Sequence, residues 1–296
     1  MPILKILILA IVQGFAELLP VSSSAHVVVA EKLMGLDPTS PQMTLVLVML
    51  HTGTMFAVIV YFWKRWARAY FSSVEAFKHA AVRVVLATIL TGVVGYPIQK
   101  LIEKTMFQGA PKAEIEQLFG RLDLIAIALF FVGVLIFVAG IGRRKTIEQL
   151  ALRRADEEEL TLKQAGIIGA VQGLALPFRG FSRSGSTISA GMMSGAVRGT
   201  AETFSFALAV VLTPAVLGRE VLRLLHAAHE AKAAGTPIDL HGAFMASFAG
   251  LILSFLSGLG ALKWLSNWLE TGKWSLFGAY CIFASAVVYY LSTIGF

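Results

Sequence analysis

Six stretches of about 20 mostly apolar residues dominate this chain, at 43–63, 81–101, 122–141, 204–225, 241–261 and 274–294. A helix of that length matches the hydrocarbon core of a bilayer. Within lipid only helices and closed barrels satisfy every backbone polar group, and these stretches are helix-sized. The sequence therefore restricts the chain to an all-α polytopic membrane fold. Composition agrees, with 56% hydrophobic and 15% charged residues, whereas a soluble domain carries roughly 25% charged. The single cysteine, Cys281, excludes an intrachain disulfide or a thiolate metal cluster. The net charge of +7 reports loop asymmetry in such a protein. No nucleic-acid motif accompanies it, so no nucleic-acid partner is expected. The N-terminal run lacks a small-residue cleavage site and does not read as a signal peptide.

Two further regions are apolar but broken. Residues 3–19 carry Gln13, Gly14 and Glu17 and stop at Pro20, and a short second piece follows at 22–36. Residues 162–197 repeat the shape, with Gln172 and Gly173, a break near Pro177 and a second piece from Ser182. Gln13 and Gln172 are 159 positions apart. Non-helical backbone at membrane depth is tolerated only where protein or a water-filled cavity receives it. Both regions thus read as re-entrant helical hairpins, and matched broken helices in two halves point to a binding site between them.

Charge bias orients the spans. Lys64, Arg65 and Arg68 follow the first, and Arg143, Arg144, Lys145, Arg153 and Arg154 follow the third. Both loops are expected in the cytoplasm. Counting crossings from there gives the halves opposite orientations, each with three spans and one hairpin. The expected organisation is one integral membrane domain over 1–296: repeat one at 1–141, a cytoplasmic linker at 142–161, and an inverted repeat two at 162–296. Arg219 and Arg223, near the outer end of the fourth span, count against this orientation. Trp63, Trp66, Trp264, Trp268 and Trp274 fall near span ends and are expected to form interfacial belts.

The polar residues carry chemistry. Gln13 and Glu17 share one helical face. Pro20 ends that helix, and Ser22, Ser23 and Ser24 sit where the next begins, suited to capping free N–H groups or binding an anion. His26 follows on the same face. In the second hairpin Arg183 stands among Ser182, Ser184, Ser186 and Thr187, and a guanidinium fork suits phosphate. Arg179 either binds a second phosphate or faces water. Ionisable groups in a membrane domain are costly and mark function by default. A carboxylate, an imidazole, hydroxyls and an arginine form a phosphoryl-transfer set. Arg183 would stabilise transferring charge, His26 or a serine would attack or relay a proton, and Glu17 would hold a divalent cation or orient the imidazole. His51 either lines this cavity or packs as a polar group between helices.

These residues resemble the motifs of the bacitracin-resistance family of undecaprenyl-pyrophosphate phosphatases, and the resemblance runs from Ile6 to the C-terminus. The first motif reads Gln13-Gly14-Phe15-Ala16-Glu17, then Pro20-Val21-Ser22-Ser23-Ser24-Ala25-His26. The second reads Arg179-Gly180-Phe181-Ser182-Arg183-Ser184-Gly185-Ser186-Thr187. The resemblance implies hydrolysis of undecaprenyl pyrophosphate to the monophosphate and inorganic phosphate, which recycles the lipid carrier for peptidoglycan synthesis. It implies a bacterial plasma (inner) membrane location, a site opening outward, and a divalent cation, Mg2+ or Ca2+. It marks Glu17, His26, Ser23 and Arg183 as catalytic. It marks Ser22, Ser24, Ser182, Ser184, Ser186, Thr187 and Arg179 as candidates for the phosphates, and Glu17 with Gln13 for the cation. Two departures stand out: Gln13 occupies a position where many members carry Glu, and Arg179 replaces a usual Pro.

An inverted repeat with broken helices is equally the signature of a secondary transporter, so a lipid-phosphate flippase is the rival reading. A carrier needs Arg183 and an anion nest but has no use for Glu17 beside His26. Gly- and Ala-rich faces permit a homodimer.

Overall fold

Each long apolar stretch forms a helix, and the helix starts where the sequence supplies a cap. Ser40 accepts from Met43 N with Pro41 at the first helical position, Ser73 accepts from Ala76 N, and Thr161 forms a reciprocal capping box with Gln164. These caps satisfy N–H groups that a helix cannot pair internally. The computed structural model describes residues 2–107, 115–142, 159–235, 238–271 and 273–296. Among these residues lie ten α-helices and one 3-10 turn, Ile115–Leu118. The first five are α1 (Ile3–Leu18), α2 (Ser23–Leu33), α3 (Pro41–Tyr70), α4 (Val74–Met106) and α5 (Leu122–Gly142). The second five are α6 (Leu162–Ala175), α7 (Arg183–Met193), α8 (Arg198–Ala233), α9 (Leu240–Thr271) and α10 (Trp274–Thr293). The basic cluster expected in the linker, Arg143 to Arg154, lies outside the described residues.

Six of the helices, α3, α4, α5, α8, α9 and α10, are long and apolar enough to cross a membrane. The chain is an all-α polytopic membrane protein. Its outer surface fits lipid: α4 presents Val82, Val85, Ile89, Val93 and Tyr96, each 55–64% exposed. A stripe like that on a soluble protein would be an association site. Several helices outrun the expected spans. α8 has 36 residues, because its C-terminal half carries no effective breaker.

Two half-length pairs remain, α1–α2 and α6–α7, and each folds back on itself. Lys5 Nζ donates to Met34 O at 2.7 Å, closing the mouth of the first hairpin. Gln164 Nε2 donates to Ser194 O at 3.3 Å and does the same for the second. Lys5 and Gln164 are themselves 159 positions apart. The first mouth leads directly into the start of α3. The second leads into α8, where Thr203 O accepts from Trp66 Nε1, near the far end of α3, at 3.1 Å. The hairpins therefore open at opposite ends of α3.

The halves interlock. α1 packs on α9, α6 packs on α4, and α5 packs along α10. Close approach at matched positions makes the first two contacts possible. A Cβ on Gly14 would lie 2.9 Å from Gly258 N, and one on Gly173 would lie 3.0 Å from Gly95 N. Small residues at such crossings let membrane helices approach and gain dispersion contacts. The main apolar core (Leu9, Val27, Leu50, Leu129, Ile168 and Phe204 among others) draws on both hairpins and fixes their relative position.

The side chain of Trp268 lies outside the described residues, and the other four tryptophans divide. Trp63 and Trp264 are exposed, as an interfacial belt requires, whereas Trp66 and Trp274 are buried. Trp274 Nε1 donates to Ser189 Oγ at 2.9 Å, so both buried indoles brace helices. The two arginines that counted against the orientation are paired: Arg219 meets Glu116 at 2.7 Å, and Arg223 donates to Thr44 Oγ1 at 2.9 Å. They belong to a local charge network, so they carry little weight as free loop charge.

Candidate active site

The two hairpin tips meet, and their sequences explain the shape of each. Pro20 cannot continue α1, and Leu19 before it is extended. The chain then turns sharply through Ser22, whose φ of 67° is the single positive value at a non-glycine among the described residues. An L-residue there costs roughly 1–2 kcal/mol, and such strain concentrates at functional sites. The Ser22 side chain makes no cap hydrogen bond and reaches only Ser24 Oγ at 3.4 Å. In the second tip the chain breaks after α6 at Pro177, and Ser182 Oγ caps α7 by accepting from Gly185 N at 3.1 Å. A Cβ on Gly185 would sit 2.6 Å from the Ile136 side chain and 3.1 Å from Pro20 O, so glycine eases the close approach of the tips here.

Glu17 is the centre of the cluster. Its side chain is 5% exposed, and four polar side chains meet it. Arg183 Nη2 from α7 donates to Oε1 at 2.7 Å. Ser23 Oγ, at the start of α2, donates to Oε2 at 2.5 Å. Gln13 Nε2 donates to the same oxygen at 3.0 Å, and His51 Nδ1 of α3 lies 3.1 Å from it. Thr54 Oγ1 stands 3.4 Å from Gln13 Nε2. One carboxylate thus joins α1, α2, α3 and α7, and ties the first half of the chain to the second. A buried charge persists only when paired and hydrogen-bonded, and Glu17 is both. His51 lies roughly 15 Å along α3 from its start, at 1.5 Å per residue, so the cluster is nearer the first hairpin's mouth.

Arg183 has capacity to spare. Its Nη1 is buried without a hydrogen-bond partner, although an unpaired buried donor costs on the order of 1–3 kcal/mol. A guanidinium with one nitrogen on Glu17 and another without a partner can receive a phosphate oxygen.

The remaining sequence candidates fall in three groups. His26 is on α2 but turned away from Glu17: its Nδ1 lies 2.8 Å from Ser22 O, and its Nε2 lies 2.7 Å from Tyr280 OH of α10. Ser182, Ser186 and Thr187 spend their hydroxyls on their own turn or on neighbours. Ser186 Oγ donates to Arg183 O at 3.0 Å. Thr187 Oγ1 donates to the same oxygen at 2.7 Å and is 2.6 Å from Ser205 Oγ. Ser184 is buried on α7. These residues build the turn that holds Arg183. Arg179 is not brought to Glu17. Its guanidinium lies 3.9 Å above the Phe119 ring, and its charge partners are Glu31, Glu220 and Glu116.

Two participants carry no clear signal in the sequence. His51 lies 3.1 Å from Glu17; the sequence leaves it open because one histidine in a span fits packing equally well. Tyr280 sits among ordinary span residues, and no motif marks it.

A divalent cation would find little protein here. Among the described residues no group of three His, Cys, Asp or Glu could hold a metal ion. The donor set, one carboxylate with the Gln13 carboxamide, fits a cation that brings most of its oxygens on a phosphate. Magnesium is commonly bound that way.

Known proteins resemble this chain over nearly its whole length. The family model "Bacitracin resistance protein BacA" matches residues 6–287. A protein of Acinetobacter baylyi called undecaprenyl-diphosphatase 2 is 54% identical, covering 97% of each chain. An undecaprenyl-diphosphatase of Rhodopirellula baltica is 32% identical, covering 98% of each. An undecaprenyl-diphosphatase 2 of Burkholderia ambifaria is 31% identical, covering 93% of this chain and 92% of its own.

Proposed function

This chain belongs to the bacitracin resistance protein BacA family, and on that premise we propose that it hydrolyses undecaprenyl pyrophosphate to undecaprenyl phosphate and inorganic phosphate. The enzyme is an undecaprenyl-diphosphate phosphatase. It recycles the lipid carrier for cell-wall synthesis and confers bacitracin resistance. The observation that carries the reading is the Glu17 carboxylate, held between Ser23 of one hairpin and Arg183 of the other. A nucleophilic hydroxyl, its base and an anion-binding guanidinium meet at one point.

The chemistry follows from these contacts. Arg183 Nη1 takes an oxygen of the terminal phosphate and stabilises charge as it spreads over the transferring group. Ser23 Oγ attacks the terminal phosphorus and its proton passes to Glu17 Oε2. The bond from that phosphorus to the bridging oxygen breaks, and undecaprenyl phosphate leaves with the electron pair. Water then attacks the phosphoserine. Phosphate departs, Ser23 recovers its proton from Glu17, and the water's proton goes to His26. Glu17 and Gln13, together with the pyrophosphate, would hold a divalent cation, Mg2+ or Ca2+, whose chemistry would be to neutralise phosphate charge.

We place the site on the outer face of the bacterial plasma membrane. Lys64, Arg65 and Arg68 at the end of α3 orient that end to the cytoplasm, and the first hairpin opens at the other end. The halves then form two inverted repeats within one domain. Repeat architecture also suits a carrier, so the test must separate the two. The purified protein is reconstituted in liposomes with magnesium and lipid pyrophosphate labelled at its terminal phosphate. Release of free labelled phosphate is expected. Intact lipid crossing the bilayer with no phosphate release would favour the carrier.

A further inference from the structure

Tyr280 lies outside both hairpins, on α10, yet touches the one imidazole of the phosphatase set that faces away from Glu17. The two rings stack, with centroids 5.7 Å apart and planes within 9°. Tyr280 OH is 2.7 Å from His26 Nε2. On the other side of the imidazole, Nδ1 is 2.8 Å from Ser22 O. A carbonyl oxygen can only accept, so Nδ1 carries a proton. In the neutral ring Nε2 is therefore the acceptor, and Tyr280 OH donates to it. A phenol oxygen can also accept. When Nε2 gains a proton, the same hydroxyl reverses its role without moving the ring. Both protonation states of His26 are thus held in one orientation.

The ring and its two partners come from three places. Ser22 O is fixed by the strained turn at φ 67°, His26 by α2, and Tyr280 by α10. Tyr280 is 44% exposed, so the ring pair lies at the surface of the protein rather than sealed in its core. Any proton reaching the hydrogen-bonded Nε2 must pass through the phenol oxygen or displace it.

We propose that Tyr280 is the positioning and relay partner of His26: its phenol fixes the imidazole and passes to Nε2 the proton released by the attacking water. The inference rests on the phosphatase reading above and deepens it. The step balances. Water gives a proton to the phenol oxygen while the phenol's own proton passes to Nε2. The hydroxyl group is regenerated, hydroxide adds to phosphorus, and the phosphoserine P–O bond breaks. The imidazolium then returns its proton to solvent.

The test uses the full-length protein in detergent with Tyr280→Phe, His26→Asn and the double variant. Tyr280→Phe keeps the ring stack and removes one oxygen. It is expected to lower kcat for phosphate release about tenfold, in line with the loss of one hydrogen bond to a charged form, while KM stays within about twofold. In the His26→Asn background the same change is expected to cost nothing further. Nitrogen-15 spectra of labelled histidine, with His26 assigned from His26→Asn, are expected to show a protonated Nδ1 and an acceptor Nε2, with the Nε2 resonance moving in Tyr280→Phe. Unchanged kcat in Tyr280→Phe would overturn the proposal, as would an equal loss in the His26→Asn background. A parent ring protonated at Nε2 alone would also overturn it. If the parent releases no phosphate, the phosphatase reading fails by itself, and the spectra still decide whether Tyr280 holds Nε2.

Discussion

Glu17→Gln and Arg183→Ala, made singly and together, probe the link between the two hairpins through stability. The carboxylate and guanidinium lie 2.7 Å apart and are 5% and 13% exposed. At an effective dielectric of about 20, their attraction is on the order of 6 kcal/mol, most of it offset by the cost of taking both charges out of water. Removing one partner leaves the other charge buried, which costs about 3–5 kcal/mol for a typical buried pair. Glu17 would keep Ser23, Gln13 and His51, so Arg183→Ala should sit at the low end, near ~3 kcal/mol. Glu17→Gln leaves an amide oxygen for Arg183 and should cost about 2 kcal/mol. The double variant removes both charges and should cost about 2–3 kcal/mol less than the sum. Thermal unfolding in detergent reads this out at roughly 2 °C per kcal/mol for a chain of this size. Arg183→Ala should melt about 6 °C lower, and the double variant about 4–6 °C higher than additivity requires. Additive melting shifts would refute the reasoning, because they would mean that the two hairpins are not joined through this pair.

Other consequences are equally concrete. Ser22→Gly should relieve the left-handed backbone and leave stability level or raise it by up to ~1 kcal/mol, whereas Ser22→Val should lose more than about 1 kcal/mol; melting temperatures decide. Gly173→Val should push α6 off α4 and cost about 1–3 kcal/mol, seen as lower yield of folded protein by size-exclusion chromatography. Arg179→Gln should destabilise the protein by leaving Glu31, whose carboxylate has no hydrogen-bond partner, without its cation, while Glu116 and Glu220 keep Arg219 and Arg223, and adding Glu31→Gln should recover part of the loss in the same melts. Chelation should abolish phosphate release and magnesium should restore it. Gln13→Glu should restore the carboxylate this chain lacks and lower the magnesium concentration needed for half-maximal activity, measured by titration.

Much of this was legible from the chain because each signal had one physical cause. Apolar length fixed the six crossing helices, and the prolines at 20 and 177 fixed the breaks. The spacing of 159 residues matched the hairpins, and it recurs in the Lys5 and Gln164 contacts at their mouths. Glu17 and Arg183 stand out in the sequence by their chemistry and Ser23 by the family motif, and the three meet in space. Side-chain direction was not legible. Arg179 is four residues from Arg183, yet it faces Phe119 and a set of glutamates contributed by α2, α8 and the 3-10 turn. His26 sits in the expected motif but points to Tyr280, with its Nδ1 held at Ser22 O. Tyr280 itself is one aromatic in an apolar span, and only the packing of α10 beside the first hairpin tip gives it a role. The tryptophans divided for a similar reason, since a span end can also be a helix junction.

The most direct test of the central claim is the rate of inorganic phosphate release from undecaprenyl pyrophosphate by the purified protein with magnesium, beside Ser23→Ala and Arg183→Ala shown to be folded. The account predicts steady release by the parent and a fall of at least about a hundredfold in each variant, one from each hairpin. Release by either variant at a rate near the parent's would contradict a site assembled from both tips.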